Sequence, residues 1–501
     1  MKKLVSLLLA MIMVLSLAAV PALAEDKPVV RISYPALVVV PTEEGTQHVE
    51  AELNAYLDSI GETFHVDLDP IDGNNYPNTV DMGLLGSTPM DLICPFSGLQ
   101  QAINSKKILP LNEYLDKELS GAVAIVGEDY LKSSTVDGSV YAIPCYKGQV
   151  LIYYWEIRRD LADKAGIDPN AEYDLDAMTA ALAKLQAAEP DIPAISARLG
   201  VGSNGNSLLL DQVLGGVKGY QFTLLTGGPV SFGNDTKLQN FYESEMFEKM
   251  VRTAWDWNKA GYIPRDASIE TEDATNLVNA DRAQSFIIGY GYSRETVESQ
   301  NASSNGYEMY AIPVSEQVFN SSNFLYWSIA HNSAHPAEAA RLLNMLYTDE
   351  KVLNYVIFGL EGEDYVVEDD TGVVRAINWP EGQSMETVPY TAALTCGILG
   401  NQFIMNAMKG STNVSDVAFM ADKMANAFKS PLFGFTFDTT KVANEVSAVS
   451  NVVKQYYAGL CCGELDPDTY LPQFQSSLKA SGIETIIAEA QAQLDAWLAA
   501  Q

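Results

Sequence analysis

The sequence predicts an α/β protein whose first part holds a largely parallel sheet and whose last part is helical. Three observations carry this. Strand-like and helix-like runs alternate between Val29 and Cys94, the order that builds parallel βαβ units. The most concentrated β-forming run lies further on, at Val150-Leu151-Ile152-Tyr153-Tyr154-Trp155. Residues 440–460 and 481–498 then place apolar side chains at helical spacing.

Taken in order, Val29-Val30-Arg31-Ile32-Ser33-Tyr34 reads as a strand, and residues 41–45 read as a turn. Val49, Leu53, Tyr56, Leu57 and Ile60 recur at three and four, which predicts an amphipathic helix over 48–60. Residues 64–68 alternate as a strand does, and Met90-Asp91-Leu92-Ile93-Cys94 is a short apolar strand closed by Pro95. Ligands in such sheets collect at the carboxyl ends of the strands. After the run at 150–155 come helices over 158–165, stopped by Gly166, and 174–188, with Leu175, Met178, Leu182 and Leu185 on one face.

The Gly- and Asn-rich stretch 200–206 lacks phosphate-loop spacing and its lysine, so it reads as a plain loop. A helix over 241–260 and a strand over 285–289 follow, the strand running into Tyr290-Gly291-Tyr292. Tyr310-Ala311-Ile312-Pro313 echoes Tyr141-Ala142-Ile143-Pro144, so both read as strand exits at crossings between two bodies. Helices at 337–346 and 350–358 lead to a hairpin over 362–377 turning at Thr371-Gly372. In the last helix Ile483, Ile486, Ile487, Leu494 and Trp497 share a face to be buried.

Lys2 and Lys3, an apolar run from Leu4 to Val20 and Pro21-Ala22-Leu23-Ala24 before Glu25 form an export signal with small residues at its cleavage point. The mature chain is expected to begin near Glu25 and to work outside the cytoplasm. No later stretch has 18 consecutive apolar residues. Loss of Lys2 and Lys3 with the signal would take the formal net charge from -33 to -35. So acidic a chain repels phosphate backbones and anionic lipid, which argues against nucleic acid as partner.

Five cysteines, Cys94, Cys145, Cys396, Cys461 and Cys462, are an odd number in a chain too long to need a disulfide scaffold. Cys461-Cys462 has no second pair or histidine beside it to complete a zinc site, and reads as buried apolar surface. His48, His65, His331 and His335 form no zinc motif. No metal or other cofactor is expected.

Read together, Tyr76 to Cys94, Val136-Asp137-Gly138-Ser139-Val140-Tyr141-Ala142-Ile143-Pro144, Ile152 to Gly166, Asn332 to Gly359, Gly400-Asn401-Gln402-Phe403 and Ile483 to Trp497 resemble extracellular solute-binding proteins of bacterial ATP-driven (ABC) importers. The nearest branch is the large lipoprotein-type binders with a C-terminal extension of unknown function. The resemblance implies a two-lobed periplasmic-binding-protein-like fold of type II, its lobes joined by crossing strands, with extra C-terminal helices. It divides the chain into signal 1–24, first lobe 25–144, second lobe 145–311, a return to the first lobe over 312–350, and completion of the second lobe with the helical extension over 351–501. It also implies a monomer that closes on a small solute and docks on the membrane subunits of a permease, with ATP hydrolysed by another chain. Members of that branch carry a lipid-bearing cysteine where this chain has Val20, so a released protein, or one held by its transporter, is expected.

A hinged binder needs planes and polar groups in its cleft; aromatic rings suit the apolar faces of sugars. The candidates are Tyr76, Tyr146, Trp155, Tyr290, Tyr292, Tyr326, Trp327 and Trp379, with polar partners Asp72, Asn74, Asp91, Lys147, Gln149 and Asn323. Tyr290 and Tyr292 stand out because Gly289 and Gly291 let the backbone approach a ligand. Aromatic enrichment favours a neutral oligosaccharide over an oligopeptide, and the scarcity of cations disfavours an anion. A secreted glycoside hydrolase would need two opposed carboxyl groups; Asp67 with Asp69, or Asp364 with Glu368, are close only in sequence, and no G-x-S-x-G elbow is present. A calcium loop fails at Asp67, Asp69 and Asp72, because Ile71 interrupts it and no glutamate closes it.

Overall fold

The computed structural model describes residues 27–37, 39–86, 89–96, 98–147, 150–197, 222–225, 227–304, 306–314, 318–319, 325–392, 398–409 and 414–499. The signal at 1–24 with Val20, the loop 200–206, Gln149, Asn323 and Cys396 lie outside the described residues.

The first sheet has the order His65–Asp72, Val29–Ala36, Leu92–Ile93, Tyr326–Ile329, Ile143–Pro144. Its first three strands are parallel, as expected, while Tyr326–Ile329 runs antiparallel to both neighbours. Val29–Ala36 is inside the sheet, and Ile32, Ser33 and Tyr34 are all fully buried, as a strand covered on both faces requires. Its polar positions are satisfied by the strand beside it: Arg31 Nε donates to Asp67 at 2.6 Å and Ser33 Oγ to Asp69 at 2.6 Å. Those two acids are therefore sheet partners rather than an opposed pair around a bond.

The first helix, Glu43–Ser59, begins five residues before the expected start. Thr42 is the reason, because its hydroxyl accepts from Gly45 N at 3.0 Å and caps the helix where the sequence suggested a turn. Gly45 packs under Pro389; a Cβ there would lie 2.3 Å from the Pro389 carbonyl oxygen.

The second sheet centres on the long strand Val150–Arg158, paired antiparallel with Ser285–Tyr290 and Met309–Pro313. Tyr153, Trp155 and Ile157 alternate along it into a core shared with helices Leu175–Ala188 and Glu245–Lys259. The C-terminal helices Ala443–Cys461, Pro467–Ala480 and Ile483–Ala499 close around that lobe, with Ile483, Ile486 and Leu494 fully buried. Cys461 and Cys462 are buried in it as well, while Cys94 and Cys145 are buried in the first lobe.

One expected boundary is corrected. Residues 351–392 and 398–399 do not complete the second lobe: Val352, Leu353, Val356, Ile357, Phe358, Ile377 and Tyr390 are fully buried in the core of the first. Only Asp349 separates helix Pro336–Thr348 from Glu350–Phe358, and its carboxylate accepts from Lys351 N at 2.9 Å and Val352 N at 3.1 Å. So short a capped joint folds the second helix back onto the body that holds the first. The hairpin strands Val366–Asp370 and Arg375–Asn378 follow there, and Asp364 turns inward to accept from Leu360 N and Tyr390 N while Glu368 accepts from Asn378. Neither carboxylate is posed as half of a hydrolytic pair.

Trp327 and Trp155 are 0% exposed, with their ring N–H groups donating to Ile398 O at 2.8 Å and Ser285 Oγ at 2.9 Å. Trp327→Ala and Trp155→Ala are each expected to lower stability by about 3–5 kcal/mol. The half-buried Trp379 is expected to cost about 1 kcal/mol or less when replaced by Ala. Urea titration of the three variants checks the contrast.

Candidate functional site

Topology locates the gap between the lobes. In the first sheet Tyr326 lies opposite Pro144 and Ser328 opposite Ile93. The chain therefore leaves at Pro144 and returns at Tyr326 on one edge, the edge at which Ala36, Asp72 and Ile93 end their strands. In the second sheet Tyr290 pairs with Ile152 and Pro313 with Tyr154. Tyr290 and Pro313 thus lie toward the end of the long strand that comes from the first lobe. The echoed Ile-Pro pairs at 143–144 and 312–313 both precede passages between the sheets, and these two edges are the walls of the candidate cleft.

The outgoing and returning chains are tied by backbone hydrogen bonds. Cys145 N donates to Leu325 O, Tyr146 N to Gly400 O and Gln402 N to Tyr146 O, each at 2.8 Å. Tyr347 OH adds a bond to Pro144 O at 2.8 Å. Gly400 has φ +62°, and a Cβ there would lie 2.2 Å from Leu346 O, so only glycine fits the clamp.

On the first-lobe wall Tyr146 is half-buried between Tyr130, 5.5 Å away, and Phe403, 5.3 Å away, with all three rings tilted or edge-on. Tyr326 is at the start of the returning strand and donates to Ser133 O at 3.2 Å; burial pushes its hydroxyl up to about 12. Lys147 follows Tyr146 and is half-buried. Asp72 ends its strand and Asn74 follows it, both exposed, and the Asp72 carboxylate accepts from Asn74 N at 3.1 Å and Asn75 N at 3.3 Å in the turn before helix Tyr76–Leu85.

On the second-lobe wall the half-buried rings of Tyr290 and Tyr292 are 6.5 Å apart, and Tyr154 OH donates to Tyr292 O at 2.8 Å. Burial and then the nearby Glu156 carboxylate raise the Tyr290 hydroxyl well above its ordinary value. Helix Val414–Asn426 lies against this wall: Phe419 and Met424 pack beside Tyr154, and Met424 also packs against the first-lobe core. Asp416, fully buried in its first turn, accepts from Ser293 N at 3.0 Å and Thr296 Oγ1 at 2.5 Å. Neutral tyrosine hydroxyls and ring faces thus dominate both walls, chemistry that suits an uncharged hydroxylated guest.

Five expected site residues belong elsewhere. Tyr76 is fully buried, donating to Ser33 O at 2.8 Å and accepting from Cys94 N at 2.9 Å, so it joins two strands from beneath. Asp91, 2% exposed, accepts from Arg31 N and Ser333 Oγ. Trp155 and Trp327 are core, and Trp379 follows the Arg375–Asn378 strand at the hairpin. The sequence reading missed Tyr130, Phe403, Phe419 and Phe96, which is 40% exposed and edge-on to Tyr76. Phe96 directly follows the Pro95 that ends a parallel strand, a signal available in the sequence; Tyr130, inside a short helix, gave none.

Among the described residues no three His, Cys, Asp or Glu side chains converge as a metal site, and no helix is long and apolar enough to cross a membrane.

Two bodies with facing edges and multiple crossings define a two-lobed ligand-trapping protein of the type II periplasmic-binding class. The chain belongs to the family of bacterial extracellular solute-binding proteins, which it matches over residues 51–352, and residues 431–499 match a domain of unknown function, DUF3502. It is 25% identical over 402 residues to a carbohydrate ABC transporter substrate-binding protein of Streptococcus pneumoniae serotype 4, covering 77% of this chain and 75% of that one. Its fold resembles the N-glycan transport solute binding protein from Streptococcus pneumoniae, with TM-score 0.73 and 21% identity over 94% of this chain and 99% of that chain. An extracellular solute-binding protein from Bifidobacterium longum subsp. infantis is similar too, with TM-score 0.68 and 15% identity over 94% and 98% of the two chains.

Gly400→Ala is expected to lose about 1–3 kcal/mol from backbone strain, and more from the clash with Leu346. Gly61, also at positive φ but facing open space, supplies the control. If differential scanning calorimetry shows Gly61→Ala as harmful as Gly400→Ala, the clamp is not a close-packed one.

Proposed function

We propose that this protein captures a neutral oligosaccharide between the facing edges of its two sheets and passes it, unaltered, to an ABC importer by closing its lobes. The observation that carries this reading is the Tyr290 and Tyr292 pair on one wall opposite the Tyr130, Tyr146 and Phe403 series on the other. Rings on both walls let a sugar be gripped only when the walls approach. Asp72, Asn74, Lys147 and Tyr326 supply polar contacts along the first-lobe edge, and Gln149 and Asn323 belong to the same two passages in sequence.

The relatives' names support the carbohydrate class. The curated relative is named for carbohydrate, and the N-glycan transport protein is also known in complex with Man1GlcNAc and Man5GlcNAc. The working form is a monomer outside the membrane whose lobe rims meet the permease subunits, with no catalytic step of its own.

Calorimetry with mannose- and N-acetylglucosamine-containing oligosaccharides, and with short peptides as competitors, tests the ligand class. Saccharide binding should shrink the radius of gyration in small-angle scattering. Tyr290→Ala should weaken binding about tenfold, one stacking contact's worth, while the ligand-free melting temperature falls by no more than about 2–4 °C. Binding of peptides but not sugars, or equal losses of stability and affinity, would falsify the proposal.

A further inference from the structure

The two rings on the second-lobe wall are anchored in different ways. Tyr290 ends the strand Ser285–Tyr290, and its backbone is held by pairing with Ile152. Tyr292 lies two residues beyond that last paired position, where the sheet no longer fixes the chain. Its backbone needs another anchor if the ring is to keep its place, 6.5 Å from Tyr290 with the two planes 42° apart. That anchor is a pair of buried side chains on a single peptide group. Tyr154 OH donates to the Tyr292 carbonyl at 2.8 Å, and the Ser293 N–H donates to the Asp416 carboxylate at 3.0 Å. Carbonyl, N–H and the Tyr292 Cα all belong to one plane. Gripped at its oxygen and at its nitrogen, that plane cannot turn over, and the point from which the Tyr292 ring projects is fixed with it.

Both gripping side chains are themselves held. Tyr154 is 2% exposed on the central strand Val150–Arg158, with Ile288 and Pro313 opposite it on the two flanking strands. Burial, and then the nearby Asp416 carboxylate, raise its hydroxyl above the ordinary range, so it keeps the proton that it donates. Asp416 is fully buried in the first turn of helix Val414–Asn426 and accepts from Thr296 Oγ1 at 2.5 Å as well. Neither side chain has surface to offer a guest, so neither is a contact residue.

A role in stability alone explains this arrangement less well. Where only stability is required, an apolar side chain of similar size serves a buried position as well as a charge does, or better. Here a hydroxyl and a carboxylate converge, from positions 138 and 123 residues away, on the one peptide that carries a cleft ring past the end of its strand. Fixing a side chain before the guest arrives removes an ordering cost from binding, equivalent to about three- to tenfold in affinity. We infer that Tyr154 and Asp416 are positioning residues of the saccharide cleft, gripping the Tyr292–Ser293 peptide between them so that the Tyr292 ring is in place beside Tyr290 before a sugar arrives. The inference rests on the proposal that a saccharide binds at this wall, and adds to it the two residues that set the ring without touching the guest.

Tyr154→Phe keeps the ring and removes only the donor, Asp416→Leu removes the acceptor, and Asp416→Asn retains an oxygen for the Ser293 N–H. In the ligand-free full chain, hydrogen–deuterium exchange over residues 290–296 should be faster in Tyr154→Phe and Asp416→Leu than in the wild type, and restored toward it in Asp416→Asn. In calorimetry with a mannose- and N-acetylglucosamine-containing oligosaccharide, the first two variants should bind about three- to tenfold more weakly, and Asp416→Asn within about twofold of the wild type. The decisive readout is a double-mutant cycle. In a Tyr292→Ala background Tyr154→Phe should lose nearly all of its effect on affinity, because no ring remains to be placed. A general loosening of the lobe would instead weaken binding equally in both backgrounds. That result, or unchanged exchange over 290–296 in both Tyr154→Phe and Asp416→Leu, would overturn the assignment. Should Asp416→Leu fold poorly, Tyr154→Phe carries the comparison alone. A wild type that binds none of the sugars would sink the transport reading by itself, while the exchange comparison, made with no guest present, still decides whether the peptide is gripped.

Discussion

The strand Tyr326–Ile329 governs this structure, because the first sheet is incomplete until a segment from beyond the second lobe inserts between Leu92–Ile93 and Ile143–Pro144. A chain that must leave a sheet and return to its middle has to make at least two passages at one edge. Those passages then become the join about which two bodies can move. Backbone bonds from Cys145 to Leu325 and between Tyr146 and residues 400–402 hold the join, with the buried Tyr347 hydroxyl adding to them from below. The side chains of Tyr146 and Phe403 are left to shape the wall. The same arrangement makes folding non-local, since the core of the first lobe draws on residues from Val30 to Leu399.

Charge is distributed to match a neutral guest. The chain has 64 acidic residues against 31 basic, yet two buried acids near the crossings are engaged locally: Asp91 by Arg31 N and Ser333, Asp416 by Ser293 and Thr296. The cleft-edge tyrosines Tyr146, Tyr154, Tyr290 and Tyr326 have hydroxyls that burial raises above their ordinary value. They stay protonated through the physiological range and present hydroxyls instead of charge, the donors of Tyr154 and Tyr326 being taken by Tyr292 O and Ser133 O. The family's extracellular setting and the acidic surface are then compatible with a site that carries little net field of its own.

Periodicity made the helices legible where one face is buried, as in Leu175–Ala188 and Glu350–Phe358, and concentrated β-forming residues made the strand Val150–Arg158 visible. It does not reveal Tyr76–Leu85, where Pro77, Asn78 and Gly83 weaken the helical signal. The site was half legible for a different reason. Large aromatics at strand ends were chosen as cleft residues, and Tyr146, Tyr290, Tyr292 and Tyr326 do lie at the facing edges, but Trp155 and Trp327 are buried because their strands are covered on the relevant face. Which face of a strand a helix will cover depends on the C-terminal helices and on residues 351–392 folding back, information far away in the chain. Asp91 misled similarly: an acid at a strand end looks available, and only the returning Ser333 shows that it is taken.

The segment over residues 414–435, which packs against both lobes, is held unequally at its two ends. At the second lobe the Asp416 carboxylate is fully buried and accepts two hydrogen bonds from the segment directly after Tyr292. Each charge-assisted bond of this kind contributes about 1.5–3 kcal/mol, and the carboxylate also sits in the first turn of its helix, where the dipole favours it. At the first lobe the polar tie is the exposed pair Lys429 with Asp129, at 2.5 Å, a type of contact that contributes about 0–1 kcal/mol. The helix Val414–Asn426 is therefore tied more firmly to the wall that carries Tyr290 and Tyr292 than to the first lobe, where Tyr130 OH donates to Met424 Sδ at 4.0 Å. A thioether sulfur is a weak acceptor, so that bond adds little to the first-lobe end. The aromatic pair is thereby held to the helix behind it.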